Sequence, residues 1–165
     1  MIDVSTFGSG ITILSTNSFP NGFNVSMFAD DTDPLAIKET ETSGFEALYD
    51  GSIFVYDKTA PVELSLSVIS GSPDDINLKI LLQARKGGIR LLPLKEFTTM
   101  VINYPGNGRV ILSAGSIVKG PLADSMLTSG RRKGNTYSFV FGTFAGAQSA
   151  KELITTVARI GATFL

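Results

Sequence analysis

Between Pro61 and Gly88 the hydrophobic period changes from that of a strand to that of a helix, and this joint constrains the chain more than any other stretch. Val62, Leu64, Leu66 and Val68 alternate with Glu63, Ser65 and Ser67, which predicts a half-buried strand with one apolar and one polar face. Ser70-Gly71 interrupts the alternation. Ser72 suits an N-cap, Pro73 the first helical position, and Asp74 and Asp75 set negative charge against the positive end of a helix dipole. Ile76, Ile80 and Ala84 then share one helical face, widened by Leu78, Leu81 and Leu82, while Lys79, Gln83 and Lys86 turn away. Gly87-Gly88 ends the helix. One strong helix in a strand-rich chain is expected to plug the open face of a sandwich or barrel.

The rest of the chain reads mostly as strands. Ile11 to Leu14 forms a first strand, Ser18 to Gly22 a turn carrying Pro20 and Asn21-Gly22, and Phe23 to Phe28 a second strand. Asp30-Asp31-Thr32-Asp33-Pro34 closes it as a turn. It lacks the ligand spacing, glycine and distal glutamate of an EF-hand, so no metal is expected there. Ile37 to Thr42 is a polar strand, and Phe45 to Asp50, the Asp50-Gly51 turn and Ser52 to Asp57 complete a hairpin arm spanning about 37–57. An arm with so little of its own to bury either stands in solvent or adds strands to a neighbouring copy.

After the helix comes a short apolar connection, Ile89 to Leu94. Phe97 to Tyr104 alternates as a strand, Pro105 to Gly108 is a turn, and Arg109 to Ser113 resumes, with Ile117 and Val118 as an extension or repeat. Leu122 to Asn135 is a loop. Thr136 to Thr143 is the last strand, with Tyr137, Phe139 and Phe141 on one face. Ser149 and Glu152 have the spacing of a capping box, followed by Leu153, Val157 and Ile160, which predicts a C-terminal helix. The expected architecture is mainly β (α+β): a two-sheet β-sandwich or barrel with one flanking helix and a C-terminal helix. It forms a single domain over 1–165, with a C-terminal extension at about 144–165.

The chain is poor in catalytic chemistry. Its 165 residues contain no cysteine and no histidine, which removes thiolate chemistry, the commonest metal ligand and the commonest general base. The serines have no such base to pair with, no Gly-x-Ser-x-Gly elbow or phosphate-binding loop is present, and Gly8-Ser9-Gly10 and Gly115-Ser116 are too short to signify. Asp74-Asp75 reads as helix-terminal charge rather than an acid–base pair. No enzyme activity, cofactor or metal is therefore expected. A formal net charge of −1 gives no general reason to bind nucleic acid. Met1 to Ser5 shows no basic segment followed by an apolar one, and no apolar run approaches the roughly 20 residues of a membrane span, so neither a signal peptide nor membrane insertion is expected.

Charge is nevertheless unevenly distributed. Asp30, Asp31, Asp33, Glu39, Glu41, Glu46 and Asp50 crowd one segment, relieved only by Lys38, whereas Arg131-Arg132-Lys133 is the one basic cluster. If arm and loop lie at opposite ends of the fold, copies could stack head to tail through them. Lys38, Glu39, Glu41, Glu46, Asp50, Arg131, Arg132 and Lys133 are thus the candidate subunit-interface residues. The alternative is two unrelated solvated segments.

The succession of hairpin arm, strand, Ser-Pro-Asp-Asp capped helix and late hairpin resembles the tail tube proteins of contractile-tailed bacteriophages over roughly Gly22 to Gly142. The late stretch, Gly115 to Pro121 and then Ser129-Gly130-Arg131-Arg132-Lys133-Gly134-Asn135-Thr136-Tyr137-Ser138-Phe139-Val140-Phe141, is the most similar. The resemblance implies a virion structural protein whose hexameric rings stack into the inner tail tube, as in the tube of type VI secretion. It implies assembly with sheath, baseplate and tape-measure proteins, made in the bacterial host cytoplasm, and a lumen through which phage DNA passes without specific binding. Glu63, Ser65 and Ser67 are the candidate lumen-facing residues. The segment after Thr143 matches least, which leaves a tube-initiator or baseplate homologue open. A non-enzymatic β-barrel module for a small ligand or glycan is the competing class, although the chain has no tryptophan for a glycan platform.

Overall fold

The structure, a computed structural model, describes residues 8–16, 18–58, 60–86, 97–105 and 108–145. In chain order the elements are β1 (Gly10–Ser15), β2 (Phe19–Val25), β3 (Leu35–Ile37), β4 (Ser43–Ala47), β5 (Ile53–Asp57), β6 (Val62–Val68), α1 (Pro73–Lys86), β7 (Thr98–Tyr104), β8 (Gly108–Lys119) and β9 (Asn135–Ala145). Antiparallel pairing builds a seven-stranded sheet in the order β2-β1-β7-β8-β9-β6-β3, while β4 and β5 form a separate two-stranded sheet. The large sheet curls into a half-barrel, the mainly β class with one flanking helix that the periodicity predicts. The curl brings the chain leaving β2, at one edge, onto the end of β6, beside the other edge. Ile69 N–H donates to the Met27 carbonyl at 2.9 Å and Ala29 N–H to the Ser67 carbonyl at 3.1 Å. The expected helix from Ser149 and the Ile89–Leu94 connection lie outside the described residues.

Strand alternation sets the core. Ile11 and Ile13, Met100 and Ile102, Leu64 and Leu66, and the predicted Tyr137, Phe139 and Phe141 row all point inward and are buried. Two local departures have physical causes. Ser18 to Gly22 is not a turn: Pro20, Asn21 and Gly22 are carried inside β2 as a bulge opposite Leu14, where the register with β1 shifts. An edge strand accepts proline because its outer N–H has no partner to lose, and Gly22 supplies the positive φ of +75°. The apparent break after Ser113 is also a bulge, with Ala114 at φ +55°, so β8 is one long strand whose inward positions shift from Val110 and Leu112 to Gly115 and Ile117. A Cβ on Gly115 would stand 2.2 Å from Phe141 Cδ1 and 2.4 Å from the Val140 carbonyl oxygen. Only glycine fits there.

Helix α1 starts as predicted. Asp75 N–H donates to Ser72 Oγ at 3.2 Å, and the Ser72 hydroxyl donates to the Ile69 carbonyl at 2.7 Å. Its buried face keeps only the leucine half of the predicted one. Ile76 and Ile80 are 52% and 45% exposed, whereas Leu78 and Leu81 are buried together with Asp74 and Asp75. At 100° per residue, positions 74, 75, 78, 81 and 82 form a single stripe opposite 76 and 80. Two isoleucines out of the core forgo about 1.5–3 kcal/mol each. Turning the aspartates out instead would orphan several buried or half-buried donors at about 1–3 kcal/mol apiece. The donors decide the rotation.

Candidate functional site

Asp74 and Asp75 tie the helix to both sides of the half-barrel. Asp74 Oδ2 accepts the N–H groups of Ser26 and Met27, each at 2.9 Å, just past β2. Asp75 accepts the Tyr137 hydroxyl at 2.7 Å, the Asn135 amide at 2.8 Å, the Gly71 N–H at 3.0 Å and Lys79 Nζ at 3.0 Å. Lys79 also pairs with Asp124, which accepts from Asn135 at 2.8 Å and from Arg132 Nη1 at 2.7 Å. Burial alone would raise the Asp75 pKa, but the donors from Tyr137, Asn135, Gly71 and Lys79 outweigh it and hold the carboxyl below its ordinary value. Lys79 hydrogen-bonds and Asn135 bring Asp124 down to about 2. Burial, then the bond to Asp75, pushes the Tyr137 phenol well up. For Lys79, burial works against the charge, and the bonds to Asp124 and Asp75 overcome it and raise the pKa.

Both oxygens of Asp75 and both oxygens of Asp124 accept from donors of the same chain. The network's effect is positional: it pins the Pro121–Gly134 loop to the helix and to the start of β9. Asp124, Asn135 and Tyr137 carry it, and only the paired aspartates signalled it in the sequence.

The loop's cations are largely spoken for within the chain. Arg131 forms a two-pronged pair with Asp30 at 2.9 and 3.2 Å, Arg132 pairs with Asp124, and the Gly134 N–H donates to Asp31 at 3.1 Å. Lys133 alone of the triplet makes no ion pair among the described residues. The start of the acidic segment, Asp30 and Asp31, therefore docks onto the basic loop of the same chain, an intrachain use of these charges that neither stacking between copies nor two unrelated solvated segments describes. Of the other interface candidates, Lys38 pairs with Glu63 at 3.0 Å and Glu41 with Lys58 at 3.1 Å. Asp50 caps the arm's turn by accepting the Ser52 N–H at 2.9 Å, and Glu39 and Glu46 are exposed. No ion pair joins the arm acids to the basic triplet among the described residues.

The hairpin arm itself is the most exposed apolar feature of the described chain. The polar stretch 38–42 is not a strand; β3 stops at Ile37, and the hairpin consists of β4 and β5 alone. Cross-strand pairs Phe45–Val55 and Ala47–Ile53 make one face apolar, and Phe54 and Tyr56 occupy the other, their rings 6.2 Å apart. Phe45 is 72% exposed and Val55 62%, and Leu48, Tyr49 and Ile53 are exposed as well. A two-stranded sheet is at best marginal in water without a covering layer. The opposite-signed surface elsewhere on the chain is a rim where Val118 and Lys119 of β8 meet Arg85 of α1 and Leu122. Neither Arg85 nor Lys119 makes an ion pair among the described residues.

The lumen candidates divide. Glu63 and Ser65 are half-buried, with Glu63 held by Lys38. Ser67 is buried at 2% exposure with its hydroxyl 2.9 Å from that of Thr136, so it faces no solvent in the isolated chain. That end of β6 is taken up by the chain's own crossover, since Ser67 also bonds through its backbone to Ala29 and Pro34.

A family model described as tail fiber protein gp32 matches residues 2–145. Among solved structures, a chain in the cryo-EM structure of the anti-feeding prophage baseplate, 6-fold symmetrised, is similar at a TM-score of 0.53 and 14% identity. The alignment covers 88% of this chain and 95% of that one, and at such identity the likeness concerns the fold. No curated protein sequence matches.

Proposed function

The chain belongs to the tail fiber protein gp32 family, and from that premise we propose that it is a ring-forming subunit at the baseplate end of a tail, built on a tube-like half-barrel. At the coarser level it is a structural, tail-associated protein of a phage or contractile injection system. The observation that carries the finer reading is the β4–β5 hairpin, on which Phe45, Ile53 and Val55 are exposed with nothing among the described residues to cover them. Such a surface is stable when another subunit buries it. The half-barrel also ends in two strand edges, β2 and the three-residue β3, and closure around a ring removes edges that otherwise invite aggregation. The sixfold symmetry named for the similar baseplate chain supports a hexameric ring.

On this reading the ring continues the tail tube, contacts baseplate, sheath and tape-measure proteins, and lets DNA pass without binding it. Glu63 and Ser65 would offer that lumen a neutral-to-acidic wall, which does not hold phosphates. The role is structural rather than catalytic, and the occupied carboxylate network supports that. Negative-stain electron microscopy of the purified protein across a concentration series tests the proposal. Rings of uniform diameter with sixfold averages are expected. A monodisperse monomer at every concentration, in the presence or absence of other tail proteins, overturns it.

A further inference from the structure

We propose that the β4–β5 hairpin of one copy docks on the rim formed by Arg85, Phe97, Val118, Lys119 and Leu122 of a second copy. The proposal rests on the ring reading and names its contact. The two surfaces are complementary in both chemistry and charge. The hairpin presents Phe45, Ala47, Ile53 and Val55 on one face, with Asp57 at the end of that face and Asp50 at the turn, neither of which has a cationic partner among the described residues. The rim presents Phe97, Val118 and Leu122 at 51%, 57% and 45% exposure, bordered by Arg85 and Lys119, which make no ion pair among the described residues. Val118 and Arg85 line both of its shallow depressions, one continuing to Leu122 and Lys119 and the other to Phe97 and Pro61.

Apolar centre against apolar centre, with opposite charges at the border, is how a specific interface is arranged. Hairpin and rim are different patches of the same molecule, so wherever the contact is not reciprocated across a twofold axis their union is heterologous. A heterologous contact repeats around a ring or along a filament and does not stop at a twofold dimer. The Arg131–Lys133 loop is a poorer receptor because Asp30 and Asp124 already compensate its arginines.

Charge exchange in the full-length protein tests this. Variant one carries Arg85→Glu and Lys119→Glu; variant two carries Ser43→Lys and Asp57→Lys, a cross-strand pair on the apolar face. All four positions are exposed, and matching urea midpoints with wild type establish that each variant folds. Each variant alone is expected to need about 100-fold more protein than wild type to assemble, because like charges now face one another. Mixed one to one, the acidic arm of the first meets the basic rim of the second and the basic arm of the second meets the acidic rim of the first. Assembly then returns as alternating rings, weakened by salt at roughly 0.5 M. Wild-type assembly that survives both reversals overturns this contact alone. Loss of assembly in either variant without recovery in the mixture also overturns it. A wild type monomeric at all concentrations overturns the ring reading as well.

Discussion

Replacing Asp75 by alanine separates two accounts of the same carboxylate. If Asp75 only complements the helix dipole, its loss costs about 0.3–1 kcal/mol. The structure places it at zero exposure beneath four donors, which do not all suffer equally when it goes. Gly71 is exposed and its N–H finds water, Lys79 retains Asp124, and Asn135 retains Asp124 through the same amide nitrogen. The Tyr137 hydroxyl has no second partner among the described residues and is fully buried, so it bears the full penalty of about 1–3 kcal/mol, with a smaller share at Asn135. Allowing for the desolvation that Asp75 no longer incurs, Asp75→Ala should destabilise the fold by about 3 kcal/mol. With a urea slope of about 2 kcal/mol/M, the midpoint falls by about 1.5 M. Urea titration followed by far-ultraviolet circular dichroism, at a concentration where the chain is monomeric, reads the shift. In a double-mutant cycle, Tyr137→Phe should cost much less in the Asp75→Ala background than in wild type, a coupling of about 1–2 kcal/mol. A loss under about 1 kcal/mol with an additive cycle would return Asp75 to the dipole role and refute the network.

Further outcomes follow from the same geometry. The folded pKa values of Asp75 and Asp124 lie below their ordinary value, so their contribution is complete above about pH 4 and lost as pH falls towards the Asp124 value of about 2; acid titration of stability should show that limb, and Asp124→Asn should flatten it. Tyr137 is shifted the other way, so stability should decline once pH passes its ordinary value of 10.0, and Tyr137→Phe should reduce that decline in an alkaline melting series, leaving the part that Lys79 contributes at higher pH. Gly115→Ala drives a methyl into Phe141 and the Val140 carbonyl and should cost about 3 kcal/mol or more, or abolish soluble expression, whereas a shift under about 0.5 kcal/mol in urea would mean that β8 moves freely. Ile76→Ser with Ile80→Ser should change the urea midpoint little, by less than about 1 kcal/mol in total; a core-sized loss would place the wrong helix face inside.

What the sequence made legible was whatever a single period specifies. The apolar row of Val62–Val68, the Ser72 cap and the Tyr137, Phe139 and Phe141 row all stand where the pattern puts them, because each depends on local geometry and one buried face. The helix rotation did not, since it is decided by donors on β9, the segment after β2 and the Gly71 turn, which no helical window contains. The Asn21-Gly22 dipeptide looked like a turn because positive φ serves a bulge as well as a hairpin. Ala114 hid the continuity of β8, because a bulge shifts inward positions from even to odd. At the candidate site the arm was legible as a hairpin and its acids as surface, but the docking of Asp30 on Arg131 joins residues about a hundred positions apart. Arg85, Val118 and Lys119 gave no separate signal, since each reads as an ordinary strand or helix-end residue until the topology brings them together.

Ring assembly through the hairpin is tested most directly by sedimentation velocity on the full-length wild type beside Phe45→Ser with Val55→Ser. Burying each of these side chains contributes about 1.5–3 kcal/mol, so losing both should raise the assembly concentration by about 100-fold to 10,000-fold. Neither side chain packs into the core, so the urea midpoint of the monomer should stay within about 0.5 kcal/mol of wild type. The account predicts a hexamer-sized boundary for the wild type and a monomer boundary for the equally stable variant. Identical sedimentation of the two, whether as hexamers or as monomers, would contradict it.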